Sequence, residues 1–130
     1  MTDHQTGGCL CGGVVYAVNG PLRDVIACHC TQCRKTSGHY VSATSVATAD
    51  LTIDGEVTWF HASGRARRGF CGTCGSNLFW QPGTRQETSI FAGTLNGETG
   101  LRTTHQIHAG EKGDYYDLPD VPLGEQPPIT

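Results

Sequence analysis

The sequence predicts a mainly β fold in a single domain, and three observations support this prediction. Apolar or alternating segments recur with the length of strands, about four to eight residues. Turn residues separate these segments, and glycine alone occupies 18 of the 130 positions. No segment keeps the 3.6-residue apolar spacing of an amphipathic helix. A chain of this length fits one domain and leaves little room for a second.

The first predicted strand is Gly12–Val18, whose period-two alternation places Val14, Tyr16 and Val18 on one face. An Asn-Gly-Pro turn at residues 19–21 reverses the chain after it. Further strands are predicted at Val25–His29, Tyr40–Val46, Leu51–Asp54, Val57–Ala62, Ser76–Gln81 and Thr88–Gly93. These segments contain the β-branched and aromatic residues that strands favour.

Two short segments have helical features. Thr31–Thr36 is predicted to form one helical turn that ends before Gly38, and among the other segments the short stretch after Thr94 comes nearest to a helical pattern. Phe79 and Trp80 lie on a predicted strand, so we interpret them as core residues rather than as a platform for substrate.

The C-terminal end of the chain differs in composition from the rest. Four of the six prolines lie beyond Tyr115, where the sequence has little periodicity. We therefore predict a folded domain over residues 1–118, followed by a Pro-rich strap or loose tail over residues 119–130.

The overall composition excludes several classes of protein. The net charge of −3 argues against a binder of duplex nucleic acid, which must neutralise many phosphates. The longest apolar run, Val14–Val18, is far shorter than the roughly 20 residues that a membrane helix needs. The segment Met1–Gly8 lacks both the basic and the apolar part of a secretory signal. We therefore expect a cytoplasmic protein with no membrane and no nucleic-acid partner.

The supply of core residues is small, and cysteines are numerous. Leu, Ile, Val and Phe together make up only 25 of the 130 residues. The seven cysteines are Cys9, Cys11, Cys28, Cys30, Cys33, Cys71 and Cys74. Because their number is odd and no export signal is evident, bound metal is favoured over disulfides as the element that stabilises the fold.

The spacing of the cysteines is typical of zinc ligands. In the C-x-x-C pair Cys71 and Cys74, a tight loop directs both sulfurs toward one ion, and two neighbouring glycines let the backbone curl around it. A thioredoxin-like redox pair is the alternative, but that motif belongs at a helix start within a βαβ unit. The glycine-flanked pair Cys9 and Cys11 can likewise offer two thiolates to a metal.

Seven thiolates divide into four plus three. Four would close a tetrahedral structural site, and three would leave one position open, as in catalytic zinc sites. Cys28, Cys30 and Cys33 are the natural group of three because one short segment supplies them. Spacing alone does not assign the sites, and in the alternative interpretation His29 or another histidine completes a closed Cys₃His site.

An open site of three thiolates suits the capture of a thiol better than the activation of water. Three thiolates leave Zn²⁺ a poor Lewis acid, whereas the soft metal favours sulfur and holds a fourth thiol as thiolate. Arg34 and Lys35 follow directly and would balance the charge or hold a carboxylate of the bound molecule, although ordinary solvated side chains explain them equally well. The same two interpretations apply to the basic cluster Arg65, Arg67 and Arg68.

Read in order, these motifs resemble the glutathione-dependent formaldehyde-activating enzyme family, to which the centromere protein V group is also similar. The matching segments include Gly7–Gly12, Cys28–Lys35, Arg68–Phe79 and Ala92–Leu95. Tyr115 stands where the family is expected to have a tryptophan after the lysine.

The resemblance implies a β-tent fold of antiparallel sheets pinned by two zinc ions. It implies that Cys9, Cys11, Cys71 and Cys74 bind the structural zinc and that Cys28, Cys30 and Cys33 bind the catalytic one. The implied activity is carbon–sulfur lyase chemistry, in which the cosubstrate glutathione adds to formaldehyde to give S-hydroxymethylglutathione. The alternatives are an enzyme that uses another small thiol or electrophile, and a zinc-stabilised binding or scaffold module without catalysis.

Overall fold

The computed structural model describes residues 4–83 and 86–124, which form ten strands and one α-helix. The strands are β1 (Gln5–Gly8), β2 (Val15–Val18), β3 (Val25–Cys28), β4 (Val41–Ala47), β5 (Leu51–Asp54), β6 (Val57–Ser63), β7 (Ala66–Cys71), β8 (Asn77–Pro82), β9 (Glu87–Phe91) and β10 (Thr103–Ile107). The α-helix is α1 (Thr31–Ser37), and single 3₁₀ turns occur at Thr48–Asp50, Ala92–Thr94 and Ala109–Glu111. No helix in this part of the chain is long and apolar enough to cross a membrane.

The strands form two open sheets. The smaller sheet has the order β1-β2-β5, and the larger has the order β10-β3-β4-β9-β8-β7-β6. Neighbouring strands run antiparallel except for β10 and β3, which run parallel. The predicted mainly β domain with antiparallel sheets is therefore confirmed.

The predicted apolar face of Gly12–Val18, the segment that contains β2, lies in the core between the two sheets. Val14, Tyr16 and Val18 are all buried, as the period-two alternation predicted. The Tyr16 ring packs edge-on against Phe79 of β8, with 5.3 Å between the ring centroids. Phe79 is fully buried, which confirms its interpretation as a core residue, whereas Trp80 is half-buried.

The sequence did not predict β1, β7 and β10. All three contain glycine or polar residues in place of an alternating apolar pattern: Gln-Thr-Gly-Gly in β1, Arg-Arg-Gly in β7 and Thr-Thr-His-Gln in β10. Pairing with neighbouring strands, rather than composition, makes β1, β7 and β10 extended.

The helical interpretation of the stretch after Thr94 is wrong, because the 3₁₀ turn Ala92–Thr94 ends there and residues 95–102 form no helix.

The C-terminal residues that the structure describes run along β10. Gln106 of β10 donates from Nε2 to the carbonyls of Pro119 and Val121, at 3.1 and 2.9 Å. Its backbone N–H donates to the Pro122 carbonyl, and Gly124 N–H donates back to the Gln106 carbonyl. The boundary after residue 118 and the choice between strap and tail stay predictions, and residues 125–130 lie outside the described part.

Candidate metal centres

Four cysteines from two distant parts of the chain meet at the edge between the sheets. The Sγ atoms of Cys9, Cys11, Cys71 and Cys74 all lie within 4.8 Å of one another. The Sγ of Cys11 lies 3.6 Å from that of Cys9 and 3.7 Å from that of Cys71. A zinc ion bound tetrahedrally at about 2.3 Å from each sulfur would set its ligands about 3.8 Å apart. The spacing of this group therefore fits a metal ion.

Two similar turns present these sulfurs. In the first, Gly12 adopts a left-handed φ of 81°, and its N–H donates to the Cys9 carbonyl at 3.2 Å. In the second, Gly75 has a φ of 80°, and its N–H donates to the Cys71 carbonyl at 2.8 Å. Glycine tolerates this conformation without steric cost, so each turn curls back on its own cysteines.

Backbone and side-chain donors favour the thiolate form at part of this group. The Ser76 hydroxyl and N–H lower the pKa of Cys74 to about 5. The Val14 N–H, which donates to the Cys9 sulfur at 3.2 Å, lowers the pKa of Cys9. The Gly13 N–H favours the Cys11 thiolate, but the neighbouring thiols outweigh it and raise the pKa of Cys11 to about 11. Four sulfurs this close need a cation to become fully anionic together.

The remaining three cysteines form a second group where β3 meets α1. Cys28 is the last residue of β3, Cys30 is the N-cap of α1, and Cys33 lies in the first turn of that helix. The Cys30 sulfur accepts a hydrogen bond from the Cys33 N–H at 3.3 Å, which is the geometry of a helix N-cap. All three sulfurs lie within 4.8 Å of one another.

The three thiols are strongly coupled. Hydrogen bonds from the thiols of Cys28 and Cys33 lower the pKa of Cys30 to about 2. The hydrogen bonds with Cys30 and Cys33 raise the pKa of Cys28. A hydrogen bond with Cys28 lowers the pKa of Cys33, but the interaction with Cys30 and burial outweigh it, so the pKa of Cys33 is raised overall. Each thiolate disfavours the ionisation of its neighbours, so three thiolates this close together require a cation. This donor set, soft and close-packed, fits zinc.

The structure thus gathers the cysteines into the four-plus-three division argued from the sequence. Each group could hold a metal ion, and no histidine or carboxylate of the described residues joins either one. The identity of the ions and the catalytic role of Cys28, Cys30 and Cys33 stay predictions.

His29 lies between two of these cysteines, yet it does not complete the group of three. Its side chain is fully buried, and both ring nitrogens have other partners. Gln106 directs its amide nitrogen to two carbonyls, so its Oε1 must accept from His29 Nε2–H, at 2.9 Å. His29 Nδ1 therefore accepts from the Tyr116 hydroxyl, at 2.7 Å. The alternative in which His29 closes a Cys₃His site is accordingly wrong.

Aromatic rings cluster around His29 beside the group of three. We call His29, His39, Tyr40, Tyr115 and Tyr116 the aromatic group; the ring centroids of its contacting pairs lie 4.3–5.6 Å apart. The hydroxyl of Tyr115 lies 2.8 Å from His39 Nδ1, and Tyr115 is 62% exposed. The sequence analysis singled out His29 and Tyr115 separately but did not predict that these rings cluster, because residues 29–40 and 115–116 are far apart in the chain.

Arg34 and Lys35 occupy the second half of α1. Arg34 donates from Nε to the Glu111 carbonyl at 2.9 Å, while the Glu111 carboxylate accepts from the N–H and hydroxyl of Thr31. Lys35 is exposed. Neither contacts a sulfur of the group of three in the described structure, and their predicted role in cofactor binding stays a prediction.

The three arginines of the basic cluster lie in different environments. Arg67 and Arg68 differ because neighbouring strand residues point to opposite faces of a sheet. Arg65 is exposed at the turn before β7. Arg67 lies over the Trp59 ring at 3.8 Å and donates to Gln81 at 2.9 Å. Arg68 is instead buried, with Nη2 3.8 Å from the Cys33 sulfur. A solvated strand face is therefore the wrong interpretation for Arg68, whose approach to Cys33 could only be expected once β7 was recognised.

The chain is similar to known proteins in sequence and in fold. The family model described as "Glutathione-dependent formaldehyde-activating enzyme" matches residues 4–111. The fold is similar to that in a crystal structure of a Rhodobacter sphaeroides protein, with a TM-score of 0.62 and 24% sequence identity. The alignment covers 76% of this chain and 99% of that one.

Proposed function

The chain belongs to the glutathione-dependent formaldehyde-activating enzyme family, and from this membership we propose that it is a carbon–sulfur lyase whose substrates are glutathione and formaldehyde. In the reaction, the sulfur of glutathione forms a bond to the carbonyl carbon, and the thiol proton ends on the carbonyl oxygen. The product is S-hydroxymethylglutathione, and nothing is oxidised or reduced. We also propose a cytoplasmic location, where thiols stay reduced.

The observation that carries this proposal is the group Cys28, Cys30 and Cys33, which has three sulfurs within 4.8 Å and no fourth protein ligand among the described residues. A zinc ion held there would supply a soft cation with one position free for a substrate thiolate. The four-cysteine group would close its own ion completely and would have a structural role.

The surrounding residues would fix the positions of the group of three. Cys30 caps α1, so the helix start itself sets the positions of Cys30 and Cys33. His29 is bonded to Tyr116 and Gln106, which holds the segment between Cys28 and Cys30 against β10. Lys35 is exposed on α1, and in this proposal it would bind a carboxylate of glutathione.

Native mass spectrometry of the reduced protein, with and without reduced glutathione, tests the thiol-binding step. We expect two zinc ions per chain and a specific glutathione adduct. The matched control is Cys30→Ser, which removes one ligand but keeps a good N-cap for α1. This variant should carry one zinc ion and no adduct. Two zinc ions without any glutathione adduct would instead favour the binding or scaffold module.

Exchange NMR on glutathione and formaldehyde tests the chemical step. The zinc-loaded protein should speed exchange between free and hydroxymethylated glutathione, and Cys30→Ser should leave the uncatalysed rate. If glutathione binds but its exchange stays at that rate, the electrophile is a different one. A panel of other small thiols and aldehydes would then identify the substrate pair.

A further inference from the structure

Arg68 of β7 is a buried cation whose hydrogen bonds are incomplete. Only 7% of its surface is exposed. One terminal nitrogen, Nη2, donates to Gln32 Oε1 at 3.3 Å and approaches the Cys33 sulfur at 3.8 Å. The Nε–H is buried and has no hydrogen-bond partner in the described structure. No carboxylate among the described residues is hydrogen-bonded to this guanidinium.

A buried guanidinium is stable only when anions and acceptors compensate it. Taking a charge out of water is costly unless it is paired, and each unsatisfied N–H adds to that cost. The nearest groups that can become anionic are the sulfurs of the three-cysteine group, of which Cys33 is in contact. Arg68 therefore belongs electrostatically to this group, although it lies on a different element.

The charges of the site indicate what Arg68 would do. Three thiolates and one divalent cation sum to −1, so a fourth anionic ligand would bring the centre to −2. Such a centre is unfavourable away from water unless a positive charge lies beside it. A neutral fourth ligand would add no charge and would gain little from the guanidinium.

We propose that Arg68 makes the three-cysteine centre selective for an anionic fourth ligand, and that it positions this ligand through its free Nε–H. This inference rests on the proposed function in so far as the natural ligand is taken to be a substrate thiolate. Arg68 is a positioning residue in this scheme, because it acts on the ligand that the metal holds. Its effect is on the choice between anionic and neutral ligands, which a purely structural arginine would not influence.

Ligand titrations of the Co²⁺-substituted protein test the proposal by visible absorption. The probes are 2-mercaptoethanol as a thiol, azide as an anion without sulfur, and imidazole as a neutral ligand. The variants are Arg68→Met, which keeps the apolar stem, and Arg68→Lys, which keeps the charge. Arg67→Met is the matched control, since it removes the same charge from the adjacent position on the opposite face of β7.

Arg68→Met should weaken the binding of 2-mercaptoethanol and azide by at least about tenfold, while imidazole binding changes by less than about twofold. Arg68→Lys should restore part of the anion affinity, and Arg67→Met should resemble the wild type. Equal losses for all three probes, or no loss for the anions, would overturn the proposal. If circular dichroism shows that Arg68→Met does not fold, Arg68→Gln replaces it in the same comparison.

The titrations also separate this inference from the proposed function. Azide binding with the expected dependence on Arg68, but no response to any thiol, would contradict the thiol chemistry and support the role of Arg68. Thiol binding that is the same in wild type and Arg68→Met would support the thiol chemistry and contradict the role of Arg68. A wild-type protein that binds imidazole better than azide would also overturn the selectivity.

Discussion

At the scale of single residues, Gln106 connects the candidate metal site to the C-terminal part of the chain. It is 3% exposed and uses both ends of its amide, accepting from His29 and donating to two carbonyls of residues 119–121. A buried polar group is stable only when all its partners are present, so the two halves of this network depend on each other. Gln106 thereby also fixes the tautomer of His29.

Replacing Gln106 by leucine should destabilise the protein by about 2–3 kcal/mol. The change leaves the buried His29 Nε2–H without its partner and removes the bonds to the Pro119 and Val121 carbonyls, of which Pro119 keeps its bond from the Val121 N–H. Chemical denaturation of the metal-loaded protein measures the effect. Gln86→Leu is the control, because Gln86 is exposed, and its effect should stay within about 0.5 kcal/mol. Similar effects of both changes would contradict the importance of the network.

At the scale of elements, segments with an apolar pattern could be predicted and polar ones could not. The alternation of Val14, Tyr16 and Val18 predicted both a strand and its buried face. In contrast, β7 is extended because it pairs with β6 and β8, although its sequence contains two arginines and a glycine. Strand pairing brings residues together that are distant in the chain, and it cannot be predicted from a local sequence pattern. The role of Arg68 therefore could not be read from the sequence.

The same reasoning applies to the candidate site. The cysteine spacing predicted a division into four ligands and three, because short motifs keep their sulfurs close in the chain, and the resemblance to the family supplied the assignment to the two groups. The aromatic group could not be predicted, because it combines residues just before and just after α1 with residues 115–116. Ligands that are close in the chain can be recognised from their spacing, whereas residues that only tertiary packing brings together cannot.

The strand β1 depends on a glycine that its sequence alone does not explain. A Cβ atom at Gly7 would clash with the Tyr16 ring and with the Thr94 carbonyl. The glycine therefore allows the Tyr16 ring to lie against β1 while its hydroxyl bonds to Thr94 at 2.7 Å. This close approach joins the small sheet to the turn after β9.

Gly7→Ala should lower the free energy of unfolding by about 1–3 kcal/mol, because neither a buried ring nor a backbone carbonyl can move freely. Gly64→Ala is the matched control, since a Cβ there meets nothing within 4 Å and the residue has no positive φ. Thermal and denaturant unfolding of the two variants compare them directly. A Gly7→Ala variant as stable as Gly64→Ala would show that the small sheet shifts to accommodate the methyl group.

At the scale of the whole molecule, the four-cysteine group compensates for a small core. It joins the loop between β1 and β2 to the end of β7, and so connects the two sheets. A structural zinc ion contributes about 10–16 kcal/mol in small peptides, as much as the whole stability of a typical domain. The three-cysteine group lies within one segment of residues 28–33, and so it closes no long loop.

This difference predicts that the two groups respond differently to the loss of one ligand. Cys71→Ser should unfold the domain, because it opens the site that connects the sheets and leaves a polar hydroxyl at a buried position. Cys30→Ser should leave the domain folded and lower the bound zinc by one equivalent, because serine keeps the N-cap of α1. Circular dichroism and metal analysis of each purified variant check both outcomes. Equal loss of structure in the two variants would contradict the division into a structural and an open site. A folded Cys71→Ser variant would show that the apolar core alone is sufficient to hold the two sheets together.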